Sequence, residues 1–545
     1  MELDPPNPKT PDIGRNAGIV SIAIMVSRVL GLVRDQVFAI FFGAGLHYDA
    51  FLTAFRIPNL LRDLFAEGAL SPAFVTTFSQ VVETKGEKAA IKLSNRVATL
   101  MILVIGAISI VAWLNAGALV YALAPGFFGV PGKAELTIRL TRIMIPFLLL
   151  IALAAQAMGI LNARNVFGIP ALASAFFNVG SILGGLLLGF ALGPFIGLGA
   201  IEGMAFGTLV GGFLQFAVQW PSLIRRGFSY RPMLSLTDPG VLQILRLMAP
   251  AIIGAAAVQV NVFVNTNFAS SVIDPVTGAV ANGPVSWLNY AFRFMQFPIG
   301  VFGVAIATVT LPPLSTSAAR NDIGEFRQTL THSLALVFLW CVPSAVGLAV
   351  LGRPIVALIF EHGRFSSFDT AQTANALAAY SIGLAGYAAV KVLSPAFYAL
   401  NDARTPMLIS LGSIAVNYVM NSLLVERFAH VGLAFSTSTV ALVNFVLLAL
   451  FMRRRLGRLE GWRLGKTLLR VCVASGAMAG VVWLASDLIA LLPLGRFPLH
   501  LAQVVLAVTL AVITYYLACR LMKISELNDA VNAIAGRFRR GLRRQ

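Results

Sequence analysis

Apolar runs of membrane-spanning length recur along this chain, separated by short polar connections. We read fourteen of them: 17–42, 50–80, 93–116, 136–161, 169–193, 197–222, 243–271, 284–315, 328–351, 372–399, 406–425, 431–452, 466–490 and 499–522. Each is long enough to cross a bilayer as a helix, which takes about 20 apolar residues. The pattern predicts an all-α polytopic membrane protein with fourteen transmembrane helices. The first run is unusual, because Ser27-Arg28-Val29-Leu30-Gly31-Leu32-Val33-Arg34-Asp35 places three charges inside it.

The polar connections alternate in charge. One set carries Lys9 and Arg15, Lys85 to Arg96, Arg164, Arg225 to Arg246, Arg320 and Arg327, Arg404, Arg453 to Arg470 and the basic C-terminus. The other carries only Lys133, Arg353, Arg364, Arg427 and Arg496. The first set totals about 28 basic residues, and by the positive-inside rule it faces the cytoplasm, which puts both termini there. This distribution also accounts for the net charge of +18 without nucleic acid. Composition agrees: 58% of the 545 residues are hydrophobic and 12% are charged, with a mean hydropathy of +0.82. Met1–Gly14 has no charged start followed by a cleavage site and reads as a tail. Cys341, Cys472 and Cys519 lie in apolar runs, and the five histidines are scattered. That pattern suggests no disulfide framework, metal site or cofactor.

A repeat organises the runs. Ala54-Phe55-Arg56 recurs as Ala291-Phe292-Arg293, 237 residues on, and Leu161-Asn162-Ala163-Arg164 recurs as Leu400-Asn401-Asp402-Ala403-Arg404, 239 residues on. Pro170 and Pro406 follow the second pair. The shared period predicts two parallel six-span lobes with two further spans appended. The expected divisions are a tail (1–16), an N-lobe (17–225), a C-lobe (226–455), spans 13 and 14 (456–524) and a basic cytoplasmic tail (525–545).

Charges inside the runs are the candidate chemistry. An arginine at a membrane helix centre costs about 2.5–3.5 kcal/mol on the insertion scale, so such residues face a hydrated interior or a partner. Arg28 and Arg34 sit about 120° apart on a straight helix, and Gly31 between them is a place for a bend or an unwound turn. Arg28 and Asp35 share a face, leaving one arginine to be neutralised and the other to meet a ligand. In the second run Arg56, Pro58, Arg62, Asp63 and Glu67 recur at close spacing, with Asp63 and Glu67 one turn apart and able to pair with arginines across the lobe. Arg293 is the single charge of the eighth run. Arginine binds phosphate oxygens in a fork and keeps its charge when desolvated. Several of them imply a substrate with more than one negative charge, such as a pyrophosphate. The same residues also fit a buried structural salt-bridge network. Asn261, Asn265 and Asn267 in run 7, with Asn417 and Asn421 in run 11, suit inter-helix hydrogen bonding or cation coordination. Arg139 and Arg142 lie near a helix end, where arginines snorkel to the interface. No P-loop, nucleophile–base pair or metal cluster is present, which indicates a transporter and not an enzyme. Its energy then comes from a gradient, the membrane potential or substrate supply.

With S-R-V-L-G-L-V-R-D, F-G-A-G-x-x-x-D-A-F, P-N-L-L-R-D-L-F-A-E-G-A-L-S-P-A-F-V and S-W-L-N-Y-A-F-R-F-M-Q-F-P-I-G-V-F-G-V-A, the chain resembles the MurJ (MviN) family of lipid II flippases. That family belongs to the multidrug/oligosaccharidyl-lipid/polysaccharide exporter superfamily. The resemblance implies two six-helix lobes around a central cavity and two C-terminal helices forming a groove for a lipid tail. It implies Arg28, Arg34, Arg62 and Arg293 as substrate-binding residues, and Asp35, Asp49 and Arg56 as functionally sensitive polar positions; Glu67 is a supporting acid by its own place in the second run. A family sodium site would fall near Asn417, Asn421 and Thr437, where the carboxylate expected of it is absent. Acids that some relatives carry beside the span 8 arginine are replaced by Phe292 and Gln296. The implied activity is movement of lipid II, the lipid-linked peptidoglycan precursor, across the bacterial inner membrane by alternating access. The implied partner is lipid II; the basic clusters would attract anionic membrane lipids, and other cell-wall synthesis proteins are further expected partners. The alternatives are export of another lipid-linked oligosaccharide or of drugs on the same fold, or a non-transporting cell-wall scaffold.

Overall fold

A computed structural model describes residues 13–64, 70–274, 276–457, 460–493 and 495–527. Among these residues the fold is helical, and its one extended pairing is an isolated antiparallel bridge between Ile273 and Val280. The first helices are α1 (Ile13–Phe42), α2 (Leu46–Arg62), α3 (Ser71–Lys85), α4 (Glu87–Leu114), α5 (Ala116–Leu123), α6 (Lys133–Met144) and α7 (Phe147–Ala163). They are followed by α8 (Gly168–Leu186), α9 (Gly193–Ile196), α10 (Ala200–Ala217), α11 (Trp220–Ile224) and α12 (Pro239–Ser270). Then come α13 (Pro284–Pro298), α14 (Ala305–Ala319), α15 (Ile323–Val350), α16 (Gly352–Phe360), α17 (Ser367–Ala399), α18 (Arg404–Leu456), α19 (Gly461–Ala490) and α20 (Arg496–Leu521).

By length and composition, ten helices among the described residues can cross a membrane. One of them, α18, holds both segments read as spans 11 and 12. Its helical run breaks at Ala429, which sits at φ 50°, ψ −133°. Such a conformation is strained for a residue with a Cβ, and the kink separates the two segments.

The chain forms two compact units. One comprises residues up to Phe38 together with Leu46–Val260; the other comprises Ala39–Gly45 together with the chain from Asn261 onward. In the first unit, Phe74, Phe78, Leu93, Met101, Leu148 and Ile160 form a buried cluster between α3, α4 and α7. Its closest helix pair is α8 with α10. A Cβ added at Gly203 would lie 2.2 Å from the Gly189 backbone, one at Gly207 2.4 Å from Gly185 N, and one at Gly211 2.5 Å from Phe177 O. Residues three or four apart share a helix face, so this Gly-xxx-Gly-xxx-Gly line lets two backbones touch. Lipid provides no hydrophobic force between helices, and close backbone packing takes its place.

In the second unit, α19 and α20 pack on α15 and α16. Val471, Ala474, Met478 and Val482 meet Leu339 and Leu351, and the Tyr515 hydroxyl donates to the Leu339 carbonyl at 2.6 Å. Helix α17 begins with a capping box in which Ser366 and Asp369 satisfy each other's backbone N–H groups. The hairpin tip at Ala39–Gly45 is held here too: Arg364 N donates to Ile40 O at 2.9 Å.

The repeated motif reappears as a repeated turn, in a different register from the sequence match. Helix α7 ends with Asn165 at φ 58° and α17 with Asn401 at φ 58°. In each turn the next residue donates back five positions, Val166 N to Leu161 O and Asp402 N to Phe397 O, both at 2.9 Å. This is the Schellman arrangement that ends helices at a left-handed residue. The equivalent asparagines are therefore Asn165 and Asn401, 236 residues apart, the same interval as Pro170 to Pro406. The 239-residue match paired Asn162 with Asn401 and ran three positions out of register. Asn162 lies inside α7, one turn short of the turn itself.

Candidate functional site

In the first unit, α1 runs without interruption through Gly31, so the unwound turn envisaged there is not seen. The Ser27–Gly31 turn is instead gripped from α8. Asn178 Nδ2 donates to Ser27 O at 3.1 Å, and a Cβ on Gly31 would meet the same amide at 3.8 Å. Arg34 ion-pairs with the adjacent Asp35 at 3.1 Å and lies over the Phe177 ring, 5.7 Å from its centre. Asp35 is buried, while Arg28 is exposed. The arginine neutralised by Asp35 is thus Arg34. Arg28 is two turns away, about 10 Å along the helix.

On α2, Arg62 is half-buried and forks onto Asp63 at 2.8 and 3.1 Å. Gln259 Nε2 reaches the other oxygen of Asp63 at 3.2 Å. The expected partner for Asp63 was an arginine across the lobe; the neighbour is close enough to take it first. Arg56 is half-buried one face-repeat after Asp49. Glu67 lies outside the described residues.

Asp49 has a partner that the sequence did not disclose. Its Oδ2 accepts from Lys133 Nζ at 2.9 Å, and both side chains are 0% exposed. The same ammonium sits 4.1 Å from the centre of the Phe127 ring. In the sequence Lys133 stands among the charges of the sparsely basic connections. The available signal was its continuation at helical spacing into Thr137 and Thr141, both fully buried. Arg139, read as an interfacial arginine, pairs with Glu202 at 2.7 Å and keeps most of its side chain exposed.

In the second unit, Arg293 is half-buried on α13, whose neighbours Phe292 and Phe294 contact Tyr380 and Phe360 edge-on. The candidate ion-site residues do come together. Asn421 Nδ2 donates to Asn265 Oδ1 at 2.8 Å and Asn265 Nδ2 to Thr437 Oγ1 at 3.2 Å. Ser436 Oγ donates to Asn417 Oδ1 at 3.2 Å, and Asn261 Nδ2 to Ser413 Oγ at 3.2 Å. This is a neutral hydrogen-bond network tying α12 to both halves of α18. Among the described residues no group of His, Cys, Asp or Glu suits a metal ion. Lys391 is exposed on α17.

A family profile described as lipid II flippase MurJ matches residues 38–520. The chain belongs to the MurJ family. A lipid II flippase MurJ from Burkholderia cenocepacia is 36% identical over 440 residues, covering 80% of this chain and 83% of that one. A probable lipid II flippase MurJ from Vibrio cholerae is 36% identical over 437 residues, covering 79% and 81%. Among solved structures, a lipid II flippase MurJ in an inward closed conformation aligns with TM-score 0.75 and 27% identity, covering 92% of this chain and 98% of that chain. An inward-facing MATE transporter of the MOP superfamily aligns with TM-score 0.67 at 15% identity, covering 82% and 99%, and shares the fold. As a MurJ family member the chain is a multi-pass membrane transporter and not an enzyme.

Proposed function

We propose that this protein is a flippase that carries lipid II from the cytoplasmic to the periplasmic leaflet of the bacterial inner membrane by alternating access. The observation that carries the reading is the arginine pair of one apolar helix, in which Asp35 and the Phe177 ring hold Arg34 and Arg28 stays exposed six residues before it. A cation kept at that depth is suited to an anionic group that has itself left water. Arg28, Arg34, Arg62 and Arg293 are the residues we assign to the pyrophosphate, with Asp35, Asp49 and Arg56 supporting them. The sugar–peptide headgroup occupies a hydrated cavity, and the prenyl tail lies along α19 and α20. Both termini face the cytoplasm, in keeping with the distribution of basic residues. Charge moves with the substrate, so the membrane potential is a fitting energy source at about 2.3 kcal/mol per charge per 100 mV.

The test is depletion of the protein in its host, followed by measurement of lipid II accessible on each leaflet. Outer-leaflet lipid II is expected to fall as the inner pool rises. Unchanged outer-leaflet lipid II refutes the proposal. Arg28→Ala, Arg34→Ala and Arg293→Ala variants that insert normally and still support cell-wall synthesis would favour the scaffold alternative.

A further inference from the structure

The Asp49–Lys133 pair runs against two local rules. Lys133 is the first residue of α6, where the helix dipole presents positive charge and disfavours a cation. Both groups are also withdrawn entirely from water, and a buried ion pair is often no more stabilising than apolar residues of the same volume. Stability alone therefore gives little reason for this pair, and a broken local rule in an otherwise consistent chain points toward function.

What the pair fixes is the setting of α2 against α6. Both helices bury small residues, Ala50, Thr53 and Ala54 on α2 and Ala134, Thr137 and Thr141 on α6, beside larger apolar ones such as Ile57, Leu140 and Met144. Small residues allow close approach, and apolar burial is non-directional. The pair supplies a directional contact of 2.9 Å near the start of both helices. Arg56 lies seven residues after Asp49, on the same face, and Arg62 lies thirteen residues after it, about 20 Å along the helix axis.

We infer that Lys133 is a positioning residue: through Asp49 it sets the register of α2, and so the placement of Arg56 and Arg62 toward the substrate anion. The sensitivity that family resemblance attaches to Asp49 then arises from its hold on Lys133, since a fully buried carboxylate does not face a hydrated site. The inference rests on the flippase reading.

The test uses full-length protein and four variants: Lys133→Met, the apolar double Asp49→Leu/Lys133→Met, Arg62→Ala, and Lys133→Met/Arg62→Ala. Binding of a short-chain lipid II analogue and the appearance of outer-leaflet lipid II are measured, with membrane level and melting temperature as controls. The apolar double should insert and melt like the parent, yet bind and transport about tenfold less well. Lys133→Met should add little to the loss already caused by Arg62→Ala, because both changes act through the placement of Arg62. Parent-level transport by the apolar double overturns the inference, and so do fully additive losses in the Lys133→Met/Arg62→Ala variant. If the unaltered chain itself moves no lipid II in this assay, the flippase reading has failed instead.

Discussion

Replacing Gly211 by alanine tests whether the glycine seam of α8 and α10 seats the arginine helix. The new Cβ would stand 2.5 Å from the Phe177 carbonyl oxygen and 3.1 Å from Ser181 N. An ordinary contact needs about 3.4 Å, so the two backbones must part by nearly 1 Å. Overpacking of this kind costs about 1–3 kcal/mol. The displaced residues matter because Phe177 lies over Arg34 and its neighbour Asn178 holds Ser27 of α1. Gly106 is the control: it lies in mid-α4 with nothing within 4 Å of an added Cβ. There alanine should stabilise by about 0.5–1 kcal/mol through helix propensity alone. The assay is thermal unfolding in detergent at a fixed heating rate, paired with complementation of a depleted strain. Gly211→Ala should melt lower than the parent and complement poorly, while Gly106→Ala should match or exceed the parent in both. If Gly211→Ala melts with the parent and complements fully, the seam is not tight and the route from α10 to Arg34 is wrong.

Three further outcomes follow from single contacts. Asn178→Leu removes a half-buried hydrogen bond to Ser27 O, a loss of about 1 kcal/mol, and should speed amide exchange in residues 27–35 of α1 without unfolding the rest. Ala429→Gly relieves the strained φ 50°, ψ −133° kink in α18 and should raise stability by about 1 kcal/mol, read as a higher melting temperature. Asp402, in the turn before α18, is pushed up by burial, but hydrogen bonds from the Thr405 backbone and hydroxyl, with Arg455 alongside, hold its carboxyl below the usual carboxylate range. A depressed carboxyl stabilises above its unfolded value of about 3.9 and loses that contribution as pH falls through its folded value. The turn should therefore be protected from proteolysis at neutral pH and opened only below about pH 4. Asp402→Asn should remove that pH dependence.

Much of the fold could be read from the sequence because a bilayer leaves few options: apolar runs of spanning length become helices, and charges inside them stand out. Arg34, Asp35, Arg62 and Arg293 were visible for that reason. Partner choice was not visible. Asp35 pairs with Arg34 because an adjacent guanidinium on a long stem reaches it before one two turns away. Lys133 was hidden because a lysine after Pro-Gly looks like any loop charge until α6 is seen to begin there and carry it inward. The repeat was found but mis-registered by three residues, since identical letters outweighed the turn, which needs its asparagine at the left-handed position. The line Gly203-xxx-Gly207-xxx-Gly211 is legible in the sequence, but only the packed helices show what its glycines approach.

That line also bears on how the protein is made. Glycines that let α10 touch α8 contribute almost nothing to the transfer of α10 into lipid, and Glu202 in its first turn opposes that transfer. Over an 18-residue stretch the span from Ala200 to Ile224 reaches a mean hydropathy of 1.4, against 2.6 for α4. Entering the membrane alone, α10 would be held weakly. The chain supplies α8 first, only a short connection earlier, so the backbone surface that retains α10 is already in the bilayer when it emerges.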